Sequence, residues 1–181
     1  DTLREQVLPW YANTHSETSF TGAQTTALRE EARATIRRAL GGGENDKIIF
    51  CGAGATAAIN RLIDILGLRL PRDLDTRYAL SARIPAAERP VVFIGPYEHH
   101  SNELPWRESI ADVVPIPLGD DGAIDRDALA EALARHRDRP LCIGSFSAAS
   151  NVTGIRSDVL AITRQLKAAG ALAFWDYAAA G

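Results

Sequence analysis

Two kinds of apolar pattern alternate along the chain. Short runs rich in β-branched and aromatic residues are typical of buried strands, and longer stretches carry apolar residues at helical spacing. The pattern predicts strands over 47–51, 91–95, 113–118, 141–146 and 171–175. It predicts helices over 22–40, 55–68, 101–110, 125–136 and 157–170, with Asp125 and Ser157 as caps of the last two.

Strands that alternate with helices at these lengths predict an α/β fold. We expect a three-layer sandwich built around a mainly parallel, mixed sheet. In such sheets ligands bind beyond the carboxyl ends of the strands. That rule selects segments 52–56, 97–102, 147–154 and 176–181 as the places where binding or catalytic groups should be sought.

Composition and charge narrow the classes of function. The chain has 181 residues, of which 46% are hydrophobic and 24% are charged, as in ordinary globular proteins. A formal net charge of -3 gives no electrostatic reason to expect nucleic acid or an anionic membrane as a partner. The apolar runs are strand-sized, too short to span a bilayer, and no export signal opens the chain. We therefore expect a cytoplasmic protein with neither kind of partner.

The first two segments offer groups for an anion and for a flat ring. Residues 52–56 join a strand to a helix, so their free amides and the Thr56 hydroxyl suit a phosphate, although tight packing alone would explain the small residues. The GxGxxG and GxxxxGK(S/T) patterns are absent, which argues against dinucleotide or P-loop binding. Residues 98–102 carry adjacent histidines, which point to opposite sides of an extended chain and make a poor metal site. One imidazole would suit ring stacking or proton transfer, and a purely structural pair is the alternative.

The other two segments place polar groups after the last two strands. Residues 147–154 form a polar loop of small residues, which would serve either as a binding loop or simply as a turn and helix entry. Asp176 directly follows the apolar run 171–175, where a carboxylate is costly to bury without a cationic partner. The protonated ring nitrogen of a cofactor would be such a partner, and a helix cap or loop aspartate is the alternative.

Taken together, the four segments resemble the class V aminotransferase group of fold-type I pyridoxal-phosphate (PLP) enzymes, which includes the cysteine desulfurases. The most specific likeness is Glu-His-His-Ser-Asn at 98–102 with Pro105-Trp106 after it, similar to the EHHxN…PW sequence of group II cysteine desulfurases. Residues 54–60 resemble the GTTxxIN phosphate loop of the family, and residues 150–154 resemble its SNxxG loop. Residues 174–176 resemble its strand-terminal aspartate.

The resemblance implies a role for each of several residues. The amide of Ala55 and the hydroxyl of Thr56 would bind the PLP phosphate. His99, the predicted catalytic residue, would stack on the pyridine ring. Asn151 would hydrogen-bond the phenolic oxygen, and Asp176 would pair with the pyridinium nitrogen. No metal is expected.

The resemblance also implies that residues 1–181 are the N-terminal part of a PLP-binding large domain with the aspartate aminotransferase-like fold. The Schiff-base lysine and the small domain would lie beyond residue 181. Lys47 and Lys167, the only lysines, fall at a strand start and on a helix surface and cannot replace that lysine. We therefore expect the 181-residue chain alone to be inactive and the full-length protein to be a homodimer.

The reaction implied is one at the α-carbon of an amino acid, with transamination as the first choice. Cysteine desulfurase or selenocysteine lyase activity is one alternative, and a non-catalytic PLP-fold binding or interaction module is another. Ala55 replaces the first threonine of the phosphate loop, and Ala179 replaces a glutamine usual in desulfurases. Both departures favour a general class V enzyme over a standard desulfurase.

Overall fold

A computed structural model describes residues 1–181 and divides them into two compact units, Asp1–Phe50 and Cys51–Gly181. The first unit contains short helical turns at Leu3–Val7 and Leu8–Trp10 and the long helix α1, Phe20–Ala39. Ser19 caps α1 by accepting a hydrogen bond from the amide of Gly22. The helix predicted over 22–40 is thereby confirmed.

The second unit contains the remaining helices and all the strands. In chain order they are α2 (Gly54–Ile65), α3 (Arg72–Tyr78), β1 (Val91–Ile94), α4 (His100–Arg107), β2 (Asp112–Pro115), α5 (Arg126–Arg135), β3 (Cys142–Ser147), α6 (Val159–Ala168) and β4 (Leu172–Asp176). The segment between α3 and β1 holds two short 3-10 turns, Ser81–Arg83 and Ala86–Glu88. No helix of the protein is both long and apolar enough to cross a membrane.

The strands form one parallel sheet in the order β2-β1-β3-β4. The predicted α/β class is confirmed, and the described sheet is wholly parallel where a mixed one was expected. From β1 the chain passes first to β2 on one side and then, through α5, to β3 on the other. The carboxyl ends of β1 and β3 therefore flank a topological switch point, where open α/β sheets usually bind ligands.

Helices cover both faces of the sheet, which gives the predicted three layers. Successive side chains of a strand point to opposite faces, so Val91 and Phe93 join one core cluster and Val92 and Ile94 join another. The first cluster contains the apolar faces of α5 and α6, and the second contains those of α2 and α4. All four residues of β1 are buried, as expected for a central parallel strand whose sequence is continuously apolar.

The strand predicted over 47–51 is wrong, because the structure has no strand there. Ile49 is 57% exposed and Phe50 is 45% exposed. The Phe50 ring lies under the guanidinium of Arg33 on α1, with Cζ 5.6 Å from the ring centroid. A β-branched run favours a half-buried sheet surface, and it forms a strand only where such a surface is available.

The cap predicted for α6 is also wrong by one residue. Asp158 is the capping residue, since its carboxylate accepts a hydrogen bond from the amide of Ala161 at 2.9 Å. The hydroxyl of Ser157 instead donates to the carbonyl oxygen of Ser147 at 2.7 Å and lies 2.8 Å from the Tyr97 hydroxyl. Both residue types favour N-caps, and the tie between Ser157 and the end of β3 decides between them.

Candidate functional site

A cavity of about 310 Å³ lies at the carboxyl ends of the strands, beside the switch point. This volume is at the lower end of the range for small-molecule sites. Every site residue predicted from the sequence lines it, namely Ala55, Thr56, His99, Asn151 and Asp176. All of them belong to the second unit.

The first turn of α2 forms one wall of the cavity, through Ala55 and Thr56. The first amides of any helix lack partners within the helix and carry the positive end of its dipole. Ala53 occupies the N-cap position of α2 and supplies no side-chain acceptor, whereas α4, α5 and α6 each begin with a capping side chain. Gly52 approaches so closely that an added Cβ would lie 2.5 Å from the Ala57 Cβ. The chain thus enters α2 through a tight turn that leaves the helix amides open.

Hydroxyl and imidazole groups link this wall to the next. The hydroxyl oxygens of Thr56 and Ser101 lie 2.7 Å apart. The Ser101 hydroxyl in turn lies 2.9 Å from Nδ1 of His99, and the Ser101 amide donates to the same nitrogen at 3.2 Å. His99 is therefore the N-cap of α4 as well as a cavity residue. His100 begins the helix and is not among the residues that line the cavity.

Glu98 holds the segment before His99 against the ends of two strands. One carboxylate oxygen accepts hydrogen bonds from the amides of Gly95 and Ser147, at 3.1 and 2.9 Å. The other carboxylate oxygen accepts from the Ser147 hydroxyl at 2.6 Å and from the side-chain nitrogen Nδ2 of Asn102 at 2.7 Å. Burial nevertheless raises the pKa of Glu98, and these hydrogen bonds offset only part of that effect.

Asn102 extends this network into the core beneath α4. Its side-chain oxygen accepts from the Ser145 hydroxyl at 2.7 Å and from the indole nitrogen of Trp106 at 3.3 Å. Asn102, Ser145 and Trp106 are each at most 2% exposed. The motif at 98–106 thus combines two tasks: His99 lines the cavity, whereas Glu98, Asn102 and Trp106 fasten α4 to β1 and β3.

Asn151 and Asp176 occupy the far side of the cavity. Asp176 is the last residue of β4 and pairs in register with Ser147 of β3. One of its carboxylate oxygens accepts a hydrogen bond from the Ala178 amide at 2.8 Å, and the other accepts none. Asn151 follows the buried Ser150, and its side-chain amide makes no hydrogen bond within the protein. Both residues therefore have polar atoms available to a ligand.

A family model described as "Aminotransferase class-V" matches residues 1–181. The chain belongs to the class V aminotransferase family. Enzymes of this family use PLP, so the cofactor predicted from the motifs is confirmed for the family.

Among curated class V relatives, the chain is 27% identical over 180 residues to a probable cysteine desulfurase of Streptomyces coelicolor. It is 28% identical over 170 residues to a cysteine desulfurase of Pectobacterium atrosepticum. These alignments cover 97% and 92% of this chain but only 39% and 37% of the relatives. The chain thus spans about two fifths of the length of the curated relatives it matches.

Solved structures share the fold at lower sequence identity. A cysteine desulfurase from Thermococcus onnurineus superimposes with a TM-score of 0.71 at 20% identity, over 97% of this chain and 39% of that one. An alanine–glyoxylate aminotransferase from Nostoc superimposes with a TM-score of 0.56 at 23% identity, over 86% of this chain and 36% of that one. Both likenesses support the class V fold.

Two further residues that line the cavity, Ser101 and Ser147, were not singled out from the sequence. Their hydroxyls acquire a role only through partners distant along the chain, Thr56 for Ser101 and Glu98 for Ser147. The one available signal was the position of each serine beyond the end of a predicted strand. No group of three or more histidine, cysteine, aspartate or glutamate side chains in the protein is placed to hold a metal ion.

Proposed function

We propose that the cavity binds PLP and that the full-length protein is a PLP-dependent enzyme acting on an amino acid. One observation carries the proposal: Thr56, His99, Asn151 and Asp176 come from four separate segments and line a single cavity. These groups differ in chemistry, and each suits a different part of PLP. When bound, PLP supplies an electron sink that stabilises a carbanion at the α-carbon of an attached amino acid.

The phosphate would be held at the start of α2. The uncapped amides and the positive helix end favour an anion, and the hydroxyl of Thr56 adds a donor. Ala55, where the family pattern has threonine, contributes its backbone amide and no hydroxyl. We therefore expect a phosphate position built mainly from backbone amides.

His99 and Asn151 would hold the ring from its face and its edge. The Ser101 amide and hydroxyl fix the imidazole of His99 through Nδ1, so a flat surface is available for stacking at the cavity. The unpaired amide of Asn151 can donate to a phenolic oxygen. Together they would orient the ring without taking a proton from it.

Asp176 would keep the ring nitrogen protonated. Its second oxygen lacks a partner, and a carboxylate in this partly buried position stabilises a neighbouring positive charge. Since the electron sink depends on that proton, Asp176 carries the electronic part of the proposal.

We propose transamination as the first candidate reaction and cysteine desulfuration as the second. Ala178 and Ala179 line the cavity next to Asp176 and offer no polar side chain where desulfurases usually have glutamine. The curated relatives favour desulfuration, since they are described as cysteine desulfurases. We also propose that residues 1–181 are the N-terminal part of the PLP-binding large domain of a homodimer, with the Schiff-base lysine further along the chain.

The test uses the protein at its full natural length, titrated with PLP and followed by visible absorption. We expect saturable uptake of PLP, then either transfer of an amino group to a 2-oxo acid or, with a thiol reductant added, release of sulfide and alanine from L-cysteine. The first product set supports transamination and the second supports desulfuration. Uptake of PLP without turnover of any amino acid would indicate a binding module, and no uptake at all would overturn the proposal.

A further inference from the structure

The Ser101 hydroxyl makes two hydrogen bonds that link the start of α2 to His99 on the neighbouring wall of the cavity. Its oxygen lies 2.7 Å from the Thr56 hydroxyl and 2.9 Å from Nδ1 of His99. Thr56 and Ser101 are 45 positions apart in sequence, so the link depends on the packing of α2 beside α4. The inference drawn from this link rests on the proposed function, because it uses the phosphate position at Thr56.

The contacts at His99 fix the direction of the hydrogen bonds. The Ser101 amide donates to Nδ1 at 3.2 Å, so Nδ1 is unprotonated and the imidazole carries its proton on Nε2. The Ser101 hydroxyl must then donate to Nδ1. A hydroxyl has one proton, so the Thr56 hydroxyl must donate to the Ser101 oxygen. Without a ligand, the hydrogen bonds run from Thr56 through Ser101 to His99.

An anion at the start of α2 is incompatible with that direction. An ionised phosphate oxygen only accepts hydrogen bonds, so Thr56 must give such an oxygen the single proton now donated to Ser101. The Thr56 oxygen then becomes the better acceptor, because a hydroxyl that donates to an anion is polarised. The Ser101 hydroxyl can turn towards it at little cost, since the Ser101 amide still satisfies Nδ1.

We propose that Ser101 is a positioning residue that couples anion binding at Thr56 to the hydrogen bonding of His99. Binding of the phosphate reverses the Ser101 hydroxyl and removes one of the two hydrogen bonds at Nδ1. The amide bond keeps the proton on Nε2 and the ring at the helix cap. The imidazole thereby gains freedom to settle against a ring once the phosphate of that ring is in place.

The experiment follows the imidazole nitrogens of His99 by 15N NMR in the full-length protein, without PLP, as inorganic phosphate is added. Selective labelling of histidine reports on His99, and labelling of threonine reports on the Thr56 amide. In the wild type we expect phosphate to shift the Thr56 amide and to move the Nδ1 resonance towards that of a nitrogen with one fewer hydrogen bond. The Nε2 resonance should remain that of a protonated nitrogen.

Three variants separate the proposed coupling from a general effect of charge. With Ser101→Ala, Nδ1 should start near its phosphate-bound position and lose most of its response, while the Thr56 amide still responds. Ser101→Thr keeps the hydroxyl and should restore the response. Ser109→Ala removes a hydroxyl near the other end of α4, which bonds only to Trp106 and Ala111, and should leave the response unchanged.

The outcomes distinguish failure of the coupling from failure of the proposed function. A wild-type Thr56 amide that responds while Nδ1 stays fixed would overturn the coupling and leave the PLP site standing. An equal Nδ1 response in Ser101→Ala would also overturn it, since the charge of phosphate would then act directly. A Thr56 amide that never responds to phosphate would overturn the anion position, and the coupling with it.

Discussion

At the scale of single residues, Asp176 lines the cavity with a carboxylate of which only one oxygen accepts a hydrogen bond. Asp176→Asn preserves the size of the side chain and an acceptor for the Ala178 amide, but removes the charge. A hydrogen bond to a charged group contributes about 1.5–3 kcal/mol, so we expect the apparent affinity for PLP to fall by roughly tenfold to a hundredfold. PLP titration of the full-length protein measures this loss.

Asp138→Asn is the matched control for that measurement. Asp138 lies outside the cavity in an exposed ion pair with Arg137. The Asp138→Asn variant should therefore bind PLP with the same affinity as the wild type. Equal affinities for the wild type and Asp176→Asn would contradict the assignment of Asp176 to the ring nitrogen.

Glu98 poses a different question, because burial and hydrogen bonding act on it in opposite directions. Burial dominates and raises the pKa of Glu98 above its ordinary value of 4.5. As the pH rises above about 4.5, the unfolded chain loses this proton first, so the free energy of unfolding falls until the folded-state pKa is passed. Glu98→Gln cannot titrate, and the stability of the wild type relative to this variant should therefore decrease through that window.

Denaturant unfolding at a series of pH values checks this sign. Glu103→Gln, on α4 five residues after Glu98, alters only an ion pair with Arg107 and should not reproduce the trend. A wild type that gains stability relative to Glu98→Gln as the pH rises would mean that the four hydrogen bonds outweigh burial and lower the pKa of Glu98.

Sequence motifs identified five of the residues that line the cavity, and they missed the serines Ser101 and Ser147, whose hydrogen bonds hold neighbouring groups in place. Thr56, His99, Asn151 and Asp176 each follow a predicted strand or open a helix, so the rule for parallel sheets placed them together. The roles of Glu98 and Ser147 depend on a contact between positions 49 apart, which local pattern does not encode. The role of Ser101 is equally invisible to local pattern, because its partner Thr56 lies on another helix.

At the scale of elements, the close approach of α6 to β3 depends on Gly144. A Cβ added there would lie 2.4 Å from Cδ1 of Leu166 and 2.8 Å from Cε2 of Phe146, both fully buried side chains. Gly144→Ala should overpack this layer and lower the free energy of unfolding by about 1–3 kcal/mol. Thermal or denaturant unfolding measures the change.

Gly43→Ala makes the same chemical change where an added Cβ meets only a carboxylate oxygen of Asp46, at 3.8 Å. It should change the free energy of unfolding far less. An unchanged stability in Gly144→Ala would show that the helix and sheet can separate there without cost.

Helices and central strands were predictable because the spacing of apolar residues indicates which side chains are buried. For β1 and α5 this spacing is visible in their own sequences. The strand predicted at 47–51 is wrong because a β-branched run favours extended backbone but does not supply an adjacent strand to pair with. The cap of α6 was misplaced for a related reason. Ser157 and Asp158 are adjacent and both suit a cap. The Ser157 hydroxyl donates instead to the carbonyl oxygen of Ser147, ten positions away, which leaves Asp158 as the cap.

At the scale of the whole molecule, the sheet positions the site, and its polar groups come from a helix start, a helix cap, a loop and a strand end. Residues at or after the ends of β1, β3 and β4 meet the first turn of α2 at one edge, and none of the four groups proposed to bind PLP belongs to the apolar core. Transamination and desulfuration could therefore share this half of the site. Assays of the full-length protein with L-cysteine and with amino donor and 2-oxo acid pairs decide between them.

The open start of α2 has a consequence for the life of the protein as well as for binding. A helix with no capping side chain forgoes stability that a serine or aspartate at that position would supply, on the order of 1 kcal/mol. A bound phosphate group would accept hydrogen bonds from the amides that the missing cap leaves open, so the ligand would stabilise the folded protein. Cellular supply of the vitamin-derived cofactor would then influence how long each molecule survives proteolysis.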